Sequence, residues 1–444
     1  MSEPVAGTGD AGPVGIVGAG PAGLTAAVAL QARGIPFEIV DAGDGVGGIW
    51  DIDRAETPMY EAAHFISSRT MSGFPGFPMP DDYPDYPRHD QVLRYIRAYA
   101  DRHGLTGRVR LRTTVERAEP RADGAGWDVR VATGETRRWG ALMVATGTTW
   151  QPHLPDVAGT FEGEQIHSFA FRSAEVFRGK RVLVVGCGNS GADIACEAAS
   201  AADKAFISLR RGYHFVPKYF MGKPADVFAH GGPRLPWRLE EIVFGFLLDK
   251  VLVGDLANYG LPRPDHPILR SHPIMNTRIL HHLGHGDLEY RPDVKELRGR
   301  SVVFVDGREE DVDLIVWATG YERRFPFLDE EGGEGKLDLY LELFHRVHPT
   351  LFFMGLFETD GAAYEMFGLQ AEAVAAYLAA RRNAPEVAER FDALRANARP
   401  DLHGGRPYLD TLRHAYYVRG DVYTRALKDA GRRLESAPRV RRGA

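Results

Sequence analysis

The sequence predicts an α/β fold in which two Rossmann-like dinucleotide-binding domains share one chain, the second inserted into a discontinuous first. Three observations predict it. Two glycine-rich turns, GAGPAG at 18–23 and GCGNSG at 186–191, each stand between an apolar run and an alanine-rich segment. A second apolar run follows each alanine-rich segment, at the spacing that one βαβ unit requires. Two matched apolar runs, LMVATG at 142–147 and LIVWATG at 314–320, both end in Ala-Thr-Gly.

In chain order, PVGIV (13–17) reads as a strand, LTAAVALQAR (24–33) as a helix, and PFEIV, ending before Asp41, as the next strand. RVLVV (181–185), ADIACEAASA and AFISL (205–209) repeat that order. Segment 111–139 reads as strands joined by turns at Asp123-Gly124 and Thr133-Gly134, and 299–311 repeats the style around Asp306-Gly307. A helical run, LQAEAVAAYLAARR, covers 369–382. Placing the crossings just after the Ala-Thr-Gly runs assigns residues 1–154 and 322–444 to the first domain and 155–321 to the second. The second carries a helical insert at about 213–285, longer than such a domain needs. The insert is read as a cap on a substrate channel, then as a homodimer interface, then as a membrane contact, with core packing as the default. The lead-in MSEPVAGTGDAGP and the basic tail ending VRRGA read as disordered or frayed ends.

Composition excludes several classes. The chain is 44% hydrophobic and 26% charged with a net charge of −6, and its basic residues are scattered, so nucleic acid is not an expected partner. The longest apolar stretch, near IVFGFLLDKVLV at 242–253, is interrupted by Asp249 and Lys250, so no transmembrane segment is expected. No signal peptide is read, and the expected location is cytoplasmic. Cys187 and Cys196 are the two cysteines, without a CxxC, which excludes a disulfide framework and a reductase dithiol. His266, His272, His281, His282 and His285 match no usual ligand spacing, and no metal is expected.

The turns carry the chemistry. In the first, with Pro21 and Ala22 opening the helix, Gly18 permits the tight bend, Gly20 lets backbone approach a pyrophosphate, and Gly23 lets helix pack on strand. Asp41 either accepts hydrogen bonds from a ribose diol or caps the turn that follows. Gly48, Ile49 and Trp50, within GVGGIW, suit backbone and an aromatic wall beside a flat ring, so FAD is the expected occupant. In the second turn Gly186, Gly188 and Gly191 repeat the spacing, with Asn189 and Ser190 contacting the nucleotide or capping the helix. Leu209 stands where the acid stood, and Ser208, Arg210 and Arg211 suit a 2′-phosphate, so NADPH is expected there. Ala145, Thr146 and Gly147 flank the first site, and Ala318, Thr319 and Gly320 the second.

A third pattern, FEGEQIHSFAFR at 161–172, lies between the turns. Phe161, Gly163, His167 and Phe171 followed by Arg172 resemble the FxGxxxHxxxF/Y signature of the flavin-containing monooxygenases, class B flavoproteins. The resemblance runs from about residue 13 to 382 and takes in GGIW, SSRTMSGFPGFPMPDDYPDYP, SLRRG and LIVWATGY. It implies an enzyme that oxygenates a nitrogen or sulfur nucleophile of a small molecule with O₂ through a flavin C4a-hydroperoxide, after NADPH has reduced the flavin. It adds His167 to the cofactor residues. Related Baeyer–Villiger enzymes place Trp where Phe171 stands. The chain departs from the family at Ile66, where members commonly have an Asn beside the flavin. The resemblance therefore leaves His64, Ser67 and Ser68 as candidate donors. The alternatives are ketone oxygenation, an NADPH oxidase releasing H₂O₂, and a non-catalytic flavoprotein that senses NADPH.

Overall fold

The structure is a computed structural model that describes residues 12–230, 235–329, 336–411 and 413–435. Residues 1–11 of the expected lead-in and the tail at 440–444 lie outside the described residues. The first sheet has seven strands in the order Leu339–Tyr340, Phe344–His345, Leu351–Phe353, Ala141–Val144, Val14–Val17, Phe37–Val40 and Val109–Arg110. Val14 pairs with both Phe37 and Ala141, in parallel register. Val14–Val17 and Ala141–Val144 are buried at every position, because a parallel strand flanked on both faces shows no polar side to water.

The second sheet is parallel throughout, in the order Glu164–His167, Leu314–Trp317, Arg181–Val185, Lys204–Ser208 and Leu288–Arg291. All its strands fall between those of the first sheet in the sequence. The chain passes from one sheet to the other and back through two short segments, Gln151–Pro152 and Tyr321–Glu322, which pair antiparallel. The expected hairpins form as Val115–Pro120, Trp127–Val131 and Thr136–Trp139, and as Ser301–Phe304 with Glu309–Asp311.

Helices follow the glycine turns at Pro21–Ala32 and Asn189–Ala201. The C-terminal helix is longer than its alanine-rich run, Ala363–Asn383, because Tyr364 and Phe367 give its first turns an aromatic packing face. Helix His89–Arg102 adds to the elements read above; Val92, Tyr95, Ile96 and Tyr99 recur at helical spacing and all are buried. Its face receives the proline-rich tract, with Phe74 stacked 4.0 Å from Tyr99 and 4.7 Å from Tyr364. Helices Pro385–Asn397 and Gly420–Glu435 add a layer behind the first sheet's helices.

The region 213–285 is less helical than expected. Its described residues hold Ala225–His230, Trp237–Leu247, a π-helical turn at Leu248–Leu252, a 3-10 turn at Leu256–Tyr259 and Arg278–His285. Helix Trp237–Leu247 is apolar on two sides: Ile242 and Phe246 are 68% and 63% exposed, while Phe244 and Leu247 line a cavity. Among the described residues no helix is long and apolar enough to cross a membrane.

The FEGEQIHSFAFR pattern fastens the two halves together. Phe171 stacks on Phe177 at 5.1 Å and meets Tyr60, from the first half, at 5.6 Å. Arg172 Nη1 donates to the carbonyls of Phe169 (2.8 Å) and Met59 (3.4 Å), and the Glu61 amide donates to the Arg172 carbonyl at 2.9 Å. Gly163 is required locally, since a Cβ there would lie 2.6 Å from the Phe161 ring. The same seam holds a polar knot. Tyr60 Oη donates to Asp193 Oδ2 at 3.0 Å, and Asn276 Nδ2 donates to Asp193 Oδ1 at 2.6 Å.

Desolvation raises the Asp193 carboxyl above the ordinary carboxylate range, with the Asn276 and Tyr60 hydrogen bonds opposing it. A carboxyl raised in the folded state favours folding at low pH, and that contribution is lost as pH rises through the folded value. Asp193→Asn removes the titration. The melting temperature of this variant minus that of the wild type is predicted to increase as pH rises above about 4, the ordinary carboxylate value. A difference that stays flat with pH would mean that Asp193 titrates as an ordinary carboxylate.

Candidate functional site

The two glycine turns are built alike to the level of single atoms. Gly18 and Gly186 take φ of +112° and +99°, which side chains rarely adopt. A Cβ on Gly23 would lie 1.9 Å from the Gly18 oxygen, and one on Gly191 would lie 2.3 Å from the Gly186 oxygen. Both contacts are forbidden, so each helix is seated on its strand by the absence of a side chain. Ala145 N–H donates to Val17 O, and Ala318 N–H to Val185 O, each at 2.8 Å. Asp41 and Leu209 hold matching places too, their amides donating to Arg110 O and Arg291 O, each at 3.0 Å.

A cavity of about 750 Å³ opens at the first turn, lined by Gly18, Gly20, Pro21 and Ala22 together with Gly48, Ile49 and Trp50. Gly48, at φ +63°, brings its backbone against Gly20: a Cβ on Gly48 would stand 3.0 Å from Gly20 Cα. Ala145, Thr146 and Gly147 form the opposite rim. Asp41 is buried in this wall and accepts from Ala19 N–H and Gly43 N–H, each at 2.7 Å, and pairs with Arg54 at 3.0 Å. A carboxylate has about four acceptor positions, so one remains. The Thr146 hydroxyl is buried with no partner among the described residues. An open acceptor, an orphaned hydroxyl and two apposed glycine backbones fit a dinucleotide with hydroxyls and phosphates.

The cavity continues past Trp50, which stacks on Phe65 at 5.0 Å, to Ile66, 38% exposed, and Ser67. Beyond them the wall is apolar and comes from the insert, with Val216, Phe244, Leu247, Leu252 and Ile268. Two of the three candidate donors are elsewhere. His64 is exposed, off the cavity, with Nδ1 2.9 Å from the Ala62 carbonyl. Ser68 is buried behind the wall, its amide donating to Asp226 Oδ2 at 2.6 Å. Ser67 lines the cavity, and its Oγ accepts from Ser72 Oγ at 2.7 Å.

The second turn does not line this cavity, though neighbouring Met275, His272 and Arg413 do. Gly188 is the N-cap of helix Asn189–Ala201, and neither Asn189 nor Ser190 caps it. Asn189 Oδ1 instead accepts from the Met275 amide at 2.8 Å. Arg210 is exposed, and Arg211 is half-buried with its guanidinium 5.5 Å from the Tyr213 ring centre. Ser208 does not join them. Its side chain is buried and its hydroxyl donates to Pro292 O at 2.7 Å, because the strand turns it inward. His167 is also buried rather than presented: Nδ1 accepts from Phe169 N–H at 3.0 Å and its ring meets Tyr321 edge-on at 5.3 Å. Burial holds its imidazole down to about 4, so it is neutral at physiological pH. Thr319 Oγ1 donates to His153 O at 2.5 Å, and Ala318 and Gly320 complete that turn.

Several lining residues carried no sequence signal. Gly355, Tyr364, Arg406 and Arg413 come from loops and helix starts in the last quarter of the chain, and only the fold brings them to the cavity.

Comparison with known proteins gives one consistent result. A model of the flavin-binding monooxygenase-like family matches residues 11–404. Flavin-containing monooxygenase 1 of Oryctolagus cuniculus is 34% identical over 377 residues, 79% of this chain and 70% of that one. Indole-3-pyruvate monooxygenase YUCCA1 of Oryza sativa subsp. japonica is 34% identical over 331 residues, 72% of this chain and 79% of that one. Among solved structures, S-allyl-L-cysteine S-oxygenase from Allium sativum has a TM-score of 0.64 at 21% identity, covering 94% of this chain and 88% of that one. OTEMO in complex with FAD and NADP has a TM-score of 0.69 at 19% identity, covering 95% and 98%. These two likenesses concern the fold.

The glycine geometry separates binding from folding. A Cβ on Gly20 would meet the Gly48 backbone alone, Cα at an ordinary 3.5 Å and N at 3.9 Å. Gly20→Ala is therefore predicted to fold with nearly unchanged apoprotein melting and to lose flavin retention. Gly23→Ala, which drives a Cβ into a carbonyl, is predicted to lower apoprotein stability by about 2 kcal/mol or more. Urea unfolding and bound-flavin absorbance on both variants check the contrast.

Proposed function

The chain belongs to the flavin-binding monooxygenase-like family, and from that premise we propose that it is an FAD- and NADPH-dependent oxygenase of a nitrogen or sulfur nucleophile on an apolar small molecule. One observation carries the reading. A single cavity runs from the first glycine turn, past Trp50 and Ile66, to an apolar wall supplied by the insert. A dinucleotide seated on the turn would extend toward that wall, and a substrate would meet it there.

FAD, when bound, supplies the oxygen-activating redox chemistry, and NADPH the hydride. The chain's own residues do the rest. Gly20 and Gly48 would admit the FAD pyrophosphate, Asp41 would take a ribose hydroxyl, and Thr146 would use its orphaned hydroxyl. Arg210 and Arg211 would hold the 2′-phosphate, and Leu209, in the place of Asp41, removes the charge that would repel it. Phe244, Leu247 and Leu252 would keep water from the reacting end, which protects the redox cycle from discharge as peroxide. In this reading residues 1–154 and 322–444 form the FAD domain and 155–321 the NADPH domain.

A second reading, an NADPH oxidase releasing H₂O₂, is favoured by Ile66. It stands on the cavity, offers no hydrogen-bond donor, and leaves Ser67 as the hydroxyl beside it. Ketone oxygenation has less support, since Phe171 departs from the tryptophan of that signature.

The deciding experiment measures NADPH oxidation and H₂O₂ release as amines, thioethers and ketones are added in turn. A nitrogen or sulfur compound that speeds NADPH oxidation while lowering peroxide per NADPH supports the proposal. Peroxide equal to NADPH with every compound supports the oxidase. Ile66→Asn is predicted to lower peroxide release per NADPH, since it adds a hydrogen-bond donor to the cavity wall, a contribution of about 0.5–1.5 kcal/mol. Arg210→Ala/Arg211→Ala is predicted to reduce kcat/KM for NADPH roughly a hundredfold and to change that for NADH little. Equal loss for both nucleotides would make these arginines structural.

A further inference from the structure

The family match ends at residue 404, yet the chain beyond it returns to the second glycine turn. Arg413 Nη1 lies 3.7 Å from the place a Cβ on Gly188 would occupy. Gly188 is the middle glycine, where backbone approaches a pyrophosphate, and it caps the positive end of helix Asn189–Ala201. A guanidinium beside a helix N-terminus is repelled by it unless an anion sits between them. Among the described residues no carboxylate forms an ion pair with Arg413, whereas Arg406, Arg419 and Arg395 nearby in sequence are all paired. The charge is thus held, unneutralised, at the edge of a cavity.

The segment that carries it is anchored. Arg406 pairs with Glu240 of the insert at 2.5 Å and reaches Asp360 at 3.5 Å. Leu409 N–H donates to Arg270 O at 2.9 Å. His272 N–H donates to His414 Nε2 at 3.1 Å, and Thr411 Oγ1 lies 2.7 Å from His414 Nδ1. Both ring nitrogens of His414 are engaged, which fixes the loop from the residue next to Arg413. Arg211 and Arg413 both act on that buried imidazole, so the two guanidiniums converge on one region.

We propose that Arg413, held between the anchored residues 406–411 and His414, completes the NADPH site by donating to the pyrophosphate at Gly188. The proposal rests on the second turn holding NADPH, as argued above. It divides the nucleotide between the halves of the molecule: the inserted half supplies the glycine cradle and the 2′-phosphate arginines, and the outer half supplies a cation for the bridging phosphates. A pyrophosphate contact is blind to the 2′-phosphate. Arg413 therefore adds affinity for NADP⁺ and NAD⁺ alike, unlike Arg210 and Arg211.

The test is titration calorimetry of NADP⁺ and NAD⁺ into the full-length, flavin-loaded protein, with flavin content and melting temperature recorded for each variant. Arg413→Gln is expected to weaken both nucleotides by about tenfold or more, with flavin content unchanged, and Arg413→Lys to recover part of the loss. Arg413→Gln binding within about twofold of wild type, or Gln and Lys variants binding alike, overturns the proposal. Loss of NADP⁺ affinity alone also overturns it, because Arg413 would then read the 2′-phosphate. If Arg413→Gln disturbs flavin content or melting, the comparison of Lys with wild type decides: full loss in the lysine variant refutes the charge role. A wild type that binds neither nucleotide would overturn the NADPH assignment itself, an outcome distinct from tight wild-type binding that Arg413→Gln leaves intact.

Discussion

The molecule depends on two places where a helix is allowed to touch a strand. At Gly23 over the Gly18 carbonyl, and at Gly191 over that of Gly186, the gap is smaller than any side chain. That closeness aims each helix N-terminus past the end of its sheet and leaves room for backbone N–H groups to face a ligand. The Ala-Thr-Gly runs lie alongside because Ala145 and Ala318 bring their methyls within 3.4 Å and 3.1 Å of the same spots. A bulkier residue at any of these positions would push helix, strand and loop apart together.

From that common frame the two turns diverge where their ligands would differ. The first is closed by main chain, with Gly48 backbone lying on Gly20 and a carboxylate embedded in the wall. The second is closed by side chains, with Arg413 beside Gly188 and with Arg210 and Arg211 following Leu209, which holds the place of the acid. Main chain suits a cofactor that is to stay, since it presents fixed dipoles and few rotamers to freeze. Long cationic side chains suit one that exchanges, because their grip is electrostatic and they can move aside.

Much of this was legible in the residues. Both turns, the crossing segments and the hairpins followed from glycine spacing, apolar runs and turn dipeptides, which act locally. Helix His89–Arg102 is equally legible from its spacing, beside the conspicuous proline tract. Other features were not legible. Whether Ser208 faces a ligand or Pro292 depends on which side of a strand it occupies, and the burial of His167 against Tyr321 leaves no local signal. Phe65, Ile66 and Ser67 reach the cavity while His64 and Ser68, one residue to either side, do not. Those limits belong to an irregular loop with no period to read. Arg413 lies far along the chain from the turn it reaches, so no local pattern connects them.

The interleaving of the two sheets also sets the order in which the chain can fold. Leu351–Phe353 pairs with Ala141–Val144, so the seven-stranded sheet acquires its middle only after the whole of the intervening sequence has been made. Closing so long a loop from an open coil is costly and slow. The inserted sheet needs no residue outside 164–317 for its own strand pairing, and once formed it delivers Gln151–Pro152 and Tyr321–Glu322 side by side. The long loop then closes as a short one. On a ribosome, where the early strands emerge first, Ala141–Val144 must wait with one edge unpaired until the inserted half has compacted. In that interval exposed strand edges invite association between chains. Yield during synthesis is therefore governed by how fast the inner domain folds, a step remote from any residue that touches a cofactor.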